Sequence, residues 1–319
     1  MRVRGIALGV SLVMGLAACG GGGAETDADG VVTVKVGVMS MAEVAPIYMA
    51  MEKGFFAKEK LKITPQVMQG GAQIVPAVVS GDLQFGYSNN TSLLVANAKG
   101  LPVRVVANAN NEADDAAKAG NVLVAKKGGP VRSPADLAGK KIAINTLGNI
   151  SEITVRAALE ARGVPLNGVK FVELAYPDML PALDAGRVDA ANIVEPFSQT
   201  AKANGDTVVI RPFHAVKPGL SIASYFTSAS YAGENKAVVD RFVRAVAQGQ
   251  KYSTDHPDEM RAVVAEYTRT SPEVVNAMML PEFGTEIDRA QLTMLGDLSK
   301  KYGLIDEKPD IGALVGSAK

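Results

Sequence analysis

The 319-residue chain has one cysteine, no tryptophan and two histidines. A single cysteine rules out an internal disulfide. With His214 and His256 as the only imidazoles, a His- or Cys-based metal site has too few ligands, and neither metal nor cofactor is expected. Aromatic residues make up 5% of the chain, which argues against an aromatic cage for quaternary ammonium groups. Charge of one sign is also lacking: 33 basic residues stand against 33 acidic ones, so there is no basic field to attract nucleic acid. Behind the N-terminal residues, no apolar run approaches the roughly 20 residues of a membrane helix. There is no Ser/His/Asp order, no phosphate-cradling Gly-rich loop with a lysine, and no repeat of solenoid period.

What is present begins at the N-terminus. Met1-Arg2-Val3-Arg4 forms a short basic head, an apolar stretch covers 6–16, and Leu16-Ala17-Ala18-Cys19 precedes Gly20-Gly21-Gly22-Gly23. A basic head, a short apolar segment and small residues at a cut describe a secretory signal. Leu-Ala-Ala-Cys resembles the cleavage site of bacterial lipoproteins. That resemblance implies cleavage before Cys19 and acylation of its thiol, which also gives an odd cysteine in an exported chain a reason. Two or three acyl chains anchor stably where one does not. Residues 1–18 are therefore read as a leader and 19–30 as a Gly/Ala/Asp-rich flexible tether. Loss of Arg2 and Arg4 with the leader leaves 31 basic against 33 acidic residues, a net of −2.

The remaining length suits two domains, and 47% hydrophobic content is ample for two cores. From 31 to about 216, apolar β-branched runs alternate with helical segments. Strands are expected at 31–38, 61–68, 83–87 and 102–107, with helices at 45–56, 73–79 and 91–99 between them. A second run has strands at 122–126, 141–145, 170–174, 188–194 and 207–211. Its helices open at Ser133-Pro134-Ala135-Asp136, at Asn149-Ile150-Ser151-Glu152 (a capping-box pattern), at Asp178 and at Glu195. This βα alternation predicts an α/β protein with mostly parallel sheets. From about 230 the chain is expected to be helical, with Val239, Phe242, Val243 and Val246 at i, i+3, i+4 and i+7 marking one buried face.

Certain phrases recur in order: Gly37-Val38-Met39-Ser40-Met41; Pro46-Ile47-Tyr48-Met49-Ala50; Glu52-Lys53-Gly54-Phe55-Phe56; Gly70-Gly71-Ala72-Gln73; Ser80-Gly81-Asp82-Leu83-Gln84-Phe85-Gly86; Ser133-Pro134-Ala135-Asp136-Leu137; Ala185-Gly186-Arg187-Val188-Asp189-Ala190; and Val194-Glu195-Pro196-Phe197. As a set they resemble the substrate-binding proteins of bacterial ABC importers for nitrate, aliphatic sulfonates, taurine and thiamine precursors. The resemblance runs from about 31 to the C-terminus. It implies a two-lobed type II periplasmic-binding-protein fold, with 31–120 and 215–319 in lobe one, 121–214 in lobe two and a ligand cleft between them. It further implies a small-molecule solute and an ABC permease as partners, a monomer, and a place in the cell envelope outside the cytoplasm.

Ligands of open α/β sheets bind beyond the carboxyl ends of the strands, where helix N-termini offer N–H groups and partial positive charge. Three such places stand out: Gly70-Gly71, Ser88-Asn89-Asn90-Thr91, and Thr146 with Gly148 and Asn149. Ser40, Met41, Tyr48 and Tyr176 are further candidates for lining a ligand. Glu195 opens a helix, and its carboxylate suits an amine or a ring N–H. Backbone donors predict an anionic group on the solute and Glu195 a cationic or N–H group, so a zwitterion such as an aminosulfonate fits both. A thiamine-precursor-like pyrimidine is the alternative. One branch of the resemblance includes proteins that form a pyrimidine from their own histidine. Here both histidines fall in the last third, outside the Gly-flanked loops, so no enzymatic activity is expected.

Overall fold

The computed structural model describes residues 26–316. The leader, Cys19 and the first part of the tether lie outside the described residues. The strands are β1 (Val32–Val38), β2 (Leu61–Val67), β3 (Phe85–Asn89), β4 (Val103–Asn111), β5 (Val122–Ala125), β6 (Lys141–Ile144), β7 (Lys170–Glu173), β8 (Ala190–Ile193), β9 (Thr207–Ile210), β10 (Ser221–Ser228) and β11 (Glu282–Phe283). The helices are α1 (Ala45–Glu52), α2 (Phe55–Lys58), α3 (Gly71–Val79), α4 (Asn90–Ala98), α5 (Ile150–Glu160), α6 (Tyr176–Asp184), α7 (Phe197–Asn204), α8 (Pro212–Val216), α9 (Ala229–Glu234), α10 (Lys236–Asp255), α11 (Pro257–Thr268), α12 (Pro272–Ala277), α13 (Arg289–Lys301) and α14 (Ile311–Val315).

Two sheets divide the strands. One has the order β11-β4-β10-β3-β1-β2, the other β7-β6-β8-β5-β9. Both are mixed rather than mostly parallel. In the first, β1 runs parallel to β2 and β3, while β10 is antiparallel to both β3 and β4. In the second, β6 is parallel to β7 and β8, and β5 is antiparallel to β8 and β9. The antiparallel strands β5 and β10 directly follow the two segments, 112–121 and 211–220, by which the chain passes between the sheets. Each enters its new sheet from the opposite end.

β10 departs most from the sequence reading, which placed no strand there. Ser-Ile-Ala-Ser-Tyr-Phe-Thr-Ser has no apolar run, yet all eight residues are buried in the middle of the sheet. Its serine and threonine hydroxyls have internal partners: Ser224 donates to Asn90 Oδ1 (2.7 Å) and Thr227 to the Gln84 carbonyl (2.6 Å). Internal partners are what permit such residues in a core. In α10 the buried face is Val238, Phe242, Ala245 and Val246, with Val239 and Val243 half-buried at its margin. The buried stripe is thus rotated by about one residue from the one read off the sequence.

Phe242 organises the core of the first sheet. Its ring stacks on Phe85 (3.9 Å, 5°) and meets Phe56 (5.7 Å) and Tyr225 (6.0 Å), all of them buried. Burial of such a ring among other rings adds aromatic contact energy to the area term. The largest apolar cluster continues from here through Met39, Met41 and Ile222 to Ile150, Tyr176 and Val194, so packing is unbroken between the two sheets. Phe242→Ala is expected to lower unfolding free energy by about 3–5 kcal/mol, the range for deleting a buried ring; urea titration followed by circular dichroism checks this.

Candidate functional site

The carboxyl ends of β1, β3, β4, β6 and β8 converge between the sheets, where two small enclosed cavities lie side by side. The first is lined by Met39, Met41, Tyr87, Asn89, Asn145, Asn149, Ile150, Tyr176, Val194 and Phe213, and the second by Asn110, Glu112, Asn121, Glu195 and Met279. Glu43 and Ile222 line both. Each holds about 20 Å³, room for a single water-sized group. A larger groove of about 280 Å³ lies at the mouth, bordered by Ser40, Gln69, Gln73 and Pro177. Met39 and Tyr176 border both this groove and the first cavity, and so stand between them.

The first cavity is an amide cluster. Asn89 ends β3 and caps α4, its Oδ1 accepting from Ser92 N (2.9 Å) and also, across the cleft, from Ile150 N at the start of α5 (3.3 Å). One carboxamide oxygen therefore serves the N-termini of two helices from opposite sides. Asn149 caps α5 by accepting from Glu152 N (3.2 Å), and its Nδ2 donates to Asn145 Oδ1 (2.6 Å) and Thr146 Oγ1 (3.1 Å). Glu152 does not close a capping box onto Asn149; its carboxylate reaches one residue further, to Gly148 N (2.9 Å). The expected helix N-termini are present, but several of their amides are already held by the protein's own side chains.

The mouth of the cleft depends on two glycines. A Cβ on Gly70 would lie 2.8 Å from Thr146 Cγ2 and 3.0 Å from Asn145 Nδ2, and one on Gly71 would lie 2.3 Å from Ser88 Oγ. Gly70 thus lets the loop before α3 touch the facing sheet, and Gly71 lets α3 seat against β3. Beside them Gln69 Nε2 donates to the Asn145 carbonyl (2.9 Å).

The second cavity is rich in carboxylates. Glu195 is buried, and its Oε1 accepts from Met279 N (3.0 Å) while Oε2 accepts from Gln199 N in α7 (3.1 Å). Its own carbonyl accepts from Ala42 N (3.0 Å), so this residue holds segments on both sides of the cleft. Glu112, on the crossing segment, accepts from the amides of Ala113 (3.0 Å), Gly120 (3.2 Å) and Asn121 (3.4 Å). Burial pushes both carboxyls above their ordinary range, and these amides oppose it. Glu43 differs. It is 7% exposed and its Oε2 has no partner among the described residues. Burial foremost, and then the charges of Glu195 and Glu112, raise its pKa to about 8. Burial also raises the Tyr176 hydroxyl, with the Glu43 charge adding to it. No lysine, arginine or histidine lines either cavity.

Of the residues singled out from sequence, Met41, Asn89, Asn149 and Tyr176 line the first cavity, Glu195 the second, and Ser40 the mouth. Gly70, Gly71, Ser88 and Thr146 sit behind them in the supporting contacts described. Gly148 borders a separate groove with Gly71 and Leu304. Asn90 faces β10 instead, donating to the Ser221 carbonyl and hydroxyl and accepting from Ser224, because the first turn of α4 packs on that strand. Thr91 is fully buried and lines neither cavity. Tyr48 points elsewhere: it stacks on Tyr267 (4.1 Å, 11°) in a groove with Met51, Val263 and Arg269, because α1 turns that side to α11. Sequence reading missed Glu43, Tyr87, Asn110, Glu112 and Asn145. Glu43 carried a visible signal, as the lone charge in Met41-Ala42-Glu43-Val44-Ala45-Pro46-Ile47.

Comparison with known proteins gives a consistent result. The chain is 27% identical over 230 residues to the taurine-binding periplasmic protein of Escherichia coli, covering 71% of this chain and 68% of that one. It is 23% identical over 325 residues to a putative aliphatic sulfonates-binding protein of Bacillus subtilis, covering 98% and 94%. Among solved structures, the alkanesulfonate-binding protein SsuA from Xanthomonas axonopodis pv. citri bound to MOPS superposes with a TM-score of 0.77 at 19% identity, over 90% of this chain and 98% of that one. The nitrate-binding protein NrtA from Synechocystis superposes with a TM-score of 0.72 at 14% identity, over 88% and 84%. These superpositions establish a periplasmic-binding-protein fold. Residues 41–260 match the family described as NMT1/THI5 like, and the chain belongs to that family.

Proposed function

We propose that this protein is the solute-binding component of an ABC importer, working outside the cytoplasm. It captures a small zwitterionic or anionic organic solute between its lobes and delivers it to the permease. The observation that carries the reading is the pair of small cavities, each with buried amide or carboxylate groups in its wall, between the carboxyl edges of two sheets, in a chain whose relatives are named for binding taurine, aliphatic sulfonates and nitrate. Lobe one comprises 31–120 and 215–319 and lobe two 121–214, with 112–121 and 211–220 as the hinge. Cavities of about 20 Å³ are smaller than an aminosulfonate, so admitting and holding one requires the lobes to part about those two segments. Met39 and Tyr176 then act as the inner doors behind the mouth.

The amide cluster around Asn89 and Asn149, at the N-termini of α4 and α5, suits an anionic head group. Glu43, Glu112 and Glu195 suit the opposite end of the molecule. The same carboxylates favour a second reading, a pyrimidine carrying an exocyclic amine, whose N–H groups they can accept. No covalent step is assigned; binding and closure are the whole mechanism. The leader 1–18, an acylated Cys19 and the tether 19–30 would hold a monomeric receptor at the extracytoplasmic face of a membrane. No helix among the described residues is long and apolar enough to cross one.

A thermal-shift screen over taurine, alkanesulfonates, nitrate and aminopyrimidines tests the reading. A bound solute at 100 times its dissociation constant adds about 2.7 kcal/mol of stability, and mass spectrometry of the released solute should find it chemically intact. Stabilisation by none of them counts against a receptor of this class. Asn89→Ala is expected to cost about 1 kcal/mol in urea unfolding, the usual loss of a helix cap, and to weaken the affinity for whichever solute the screen selects, since the same oxygen also holds Ile150 across the cleft.

A further inference from the structure

The three carboxylates of the second cavity are not equivalent, and the difference points to one of them. Glu195 and Glu112 each accept from main-chain amides on both oxygens. Glu43, on the turn Ala42–Val44 before α1, borders both cavities and presents a buried oxygen with no donor. Next to it, Asn110 is also fully buried, and its Nδ2 has no acceptor among the described residues. The Asn110 amide is held in orientation by Tyr87, whose hydroxyl donates to Asn110 Oδ1 (2.7 Å). A buried acceptor and a buried donor thus remain unmatched at one place. The groups of the described residues do not form a cluster that could hold a metal ion.

We propose that Glu43 is the specificity-determining residue of the receptor: its Oε2 receives an ammonium, amidine or ring-amine N–H of the solute, while Asn110 Nδ2 donates to an acceptor atom beside that group. This rests on the solute-receptor reading above and narrows it to amine-bearing solutes. The environment discriminates by repulsion as well as attraction. Groups facing Glu43 are Glu195 after β8, Glu112 at the end of β4, Tyr87 on β3, Tyr176 on α6 and Tyr267 on α11. None is cationic. A bare anion placed beside ionised Glu43 meets like charge there and gains the Asn110 Nδ2 donor alone, whereas an ammonium supplies the counter-charge that none of these groups does. Discrimination built on leaving a buried polar group unpaired is large, because the wrong solute leaves that group without a partner.

Binding an N–H donor or a cation requires the ionised form of Glu43. With its pKa raised to about 8, each amine bound below that pH displaces one proton. Affinity for an amine therefore rises by up to tenfold per pH unit towards pH 8 and flattens above it, while affinity for a solute lacking the amine does not rise.

The test is calorimetric titration of the purified full chain and of Glu43→Gln with pairs differing only in the amine: taurine and ethanesulfonate, β-alanine and propionate, 4-aminopyrimidine and pyrimidine. The expected result is at least tenfold tighter binding of one amine-bearing member by the wild type, with the gap erased in Glu43→Gln. Titration of the wild type alone between pH 6 and pH 8 should show the rise for the amine and none for its partner, which needs no variant to fold. Equal binding of both members, or an amine preference that survives Glu43→Gln, overturns the assignment of Glu43 and leaves the receptor reading standing. Failure of the wild type to bind any member counts against both.

Discussion

The junction of the two lobes buries three carboxylates around cavities that no basic side chain lines, and the cleft is arranged around that problem. An ionised group taken out of water needs either a counter-charge or a set of donors. Glu195 and Glu112 find donors in the main chain, and those donors come from segments that must be held in place for the lobes to meet: Met279 before β11, the start of α7, and the crossing loop 113–121. Satisfying the carboxylates and fixing the geometry of the junction are thus the same act. Glu43 is left over, and it is the one that borders both cavities.

The other half of the cleft is electrostatically complementary. Helices α4 and α5 point their N-termini into it, and their first amides are held by the carboxamide oxygens of Asn89 and Asn149. A carboxamide is a weaker acceptor than an anionic oxygen, so an incoming anionic group can compete for the same N–H donors. The cleft therefore has a positive pole made of helix ends and a negative pole made of side chains, joined at Glu43 and Ile222.

Much of the architecture was legible in the residues. The alternation of β-branched runs with Gly-closed helices located nearly every strand of the first 210 residues within a few positions, and the ordered phrases around Gly70-Gly71, Gly81-Asp82 and Val194-Glu195-Pro196 led to the right family. β10 was not legible, because four of its eight residues are serine or threonine, and only partners far away in sequence, such as Asn90 and Gln84, make their burial tolerable. The mixed direction of the sheets was hidden for the same reason. At the site, caps were readable: Asn89 and Asn149 both sit where their local pattern put them. Asn90 and Tyr48 were misplaced because their orientation is set by β10 and α11, which local spacing does not reveal. Glu112 and Asn110 gave no local signal, since they become part of the cleft only when β4 is carried to the crossing point.

The placement of β10 between β3 and β4 has a consequence for how the molecule is assembled. β4 pairs with neither β1 nor β3, and its neighbours in the sheet are β10 and β11 alone. A chain emerging from its N-terminus can complete the second sheet from one continuous stretch, but the first sheet stays split into two fragments until Ser228 has appeared. The ribbon that is made first is thus among the last to be finished. A truncation that removed Ser221–Ser228 would leave β3 and β4 with open edges in the oldest part of the protein.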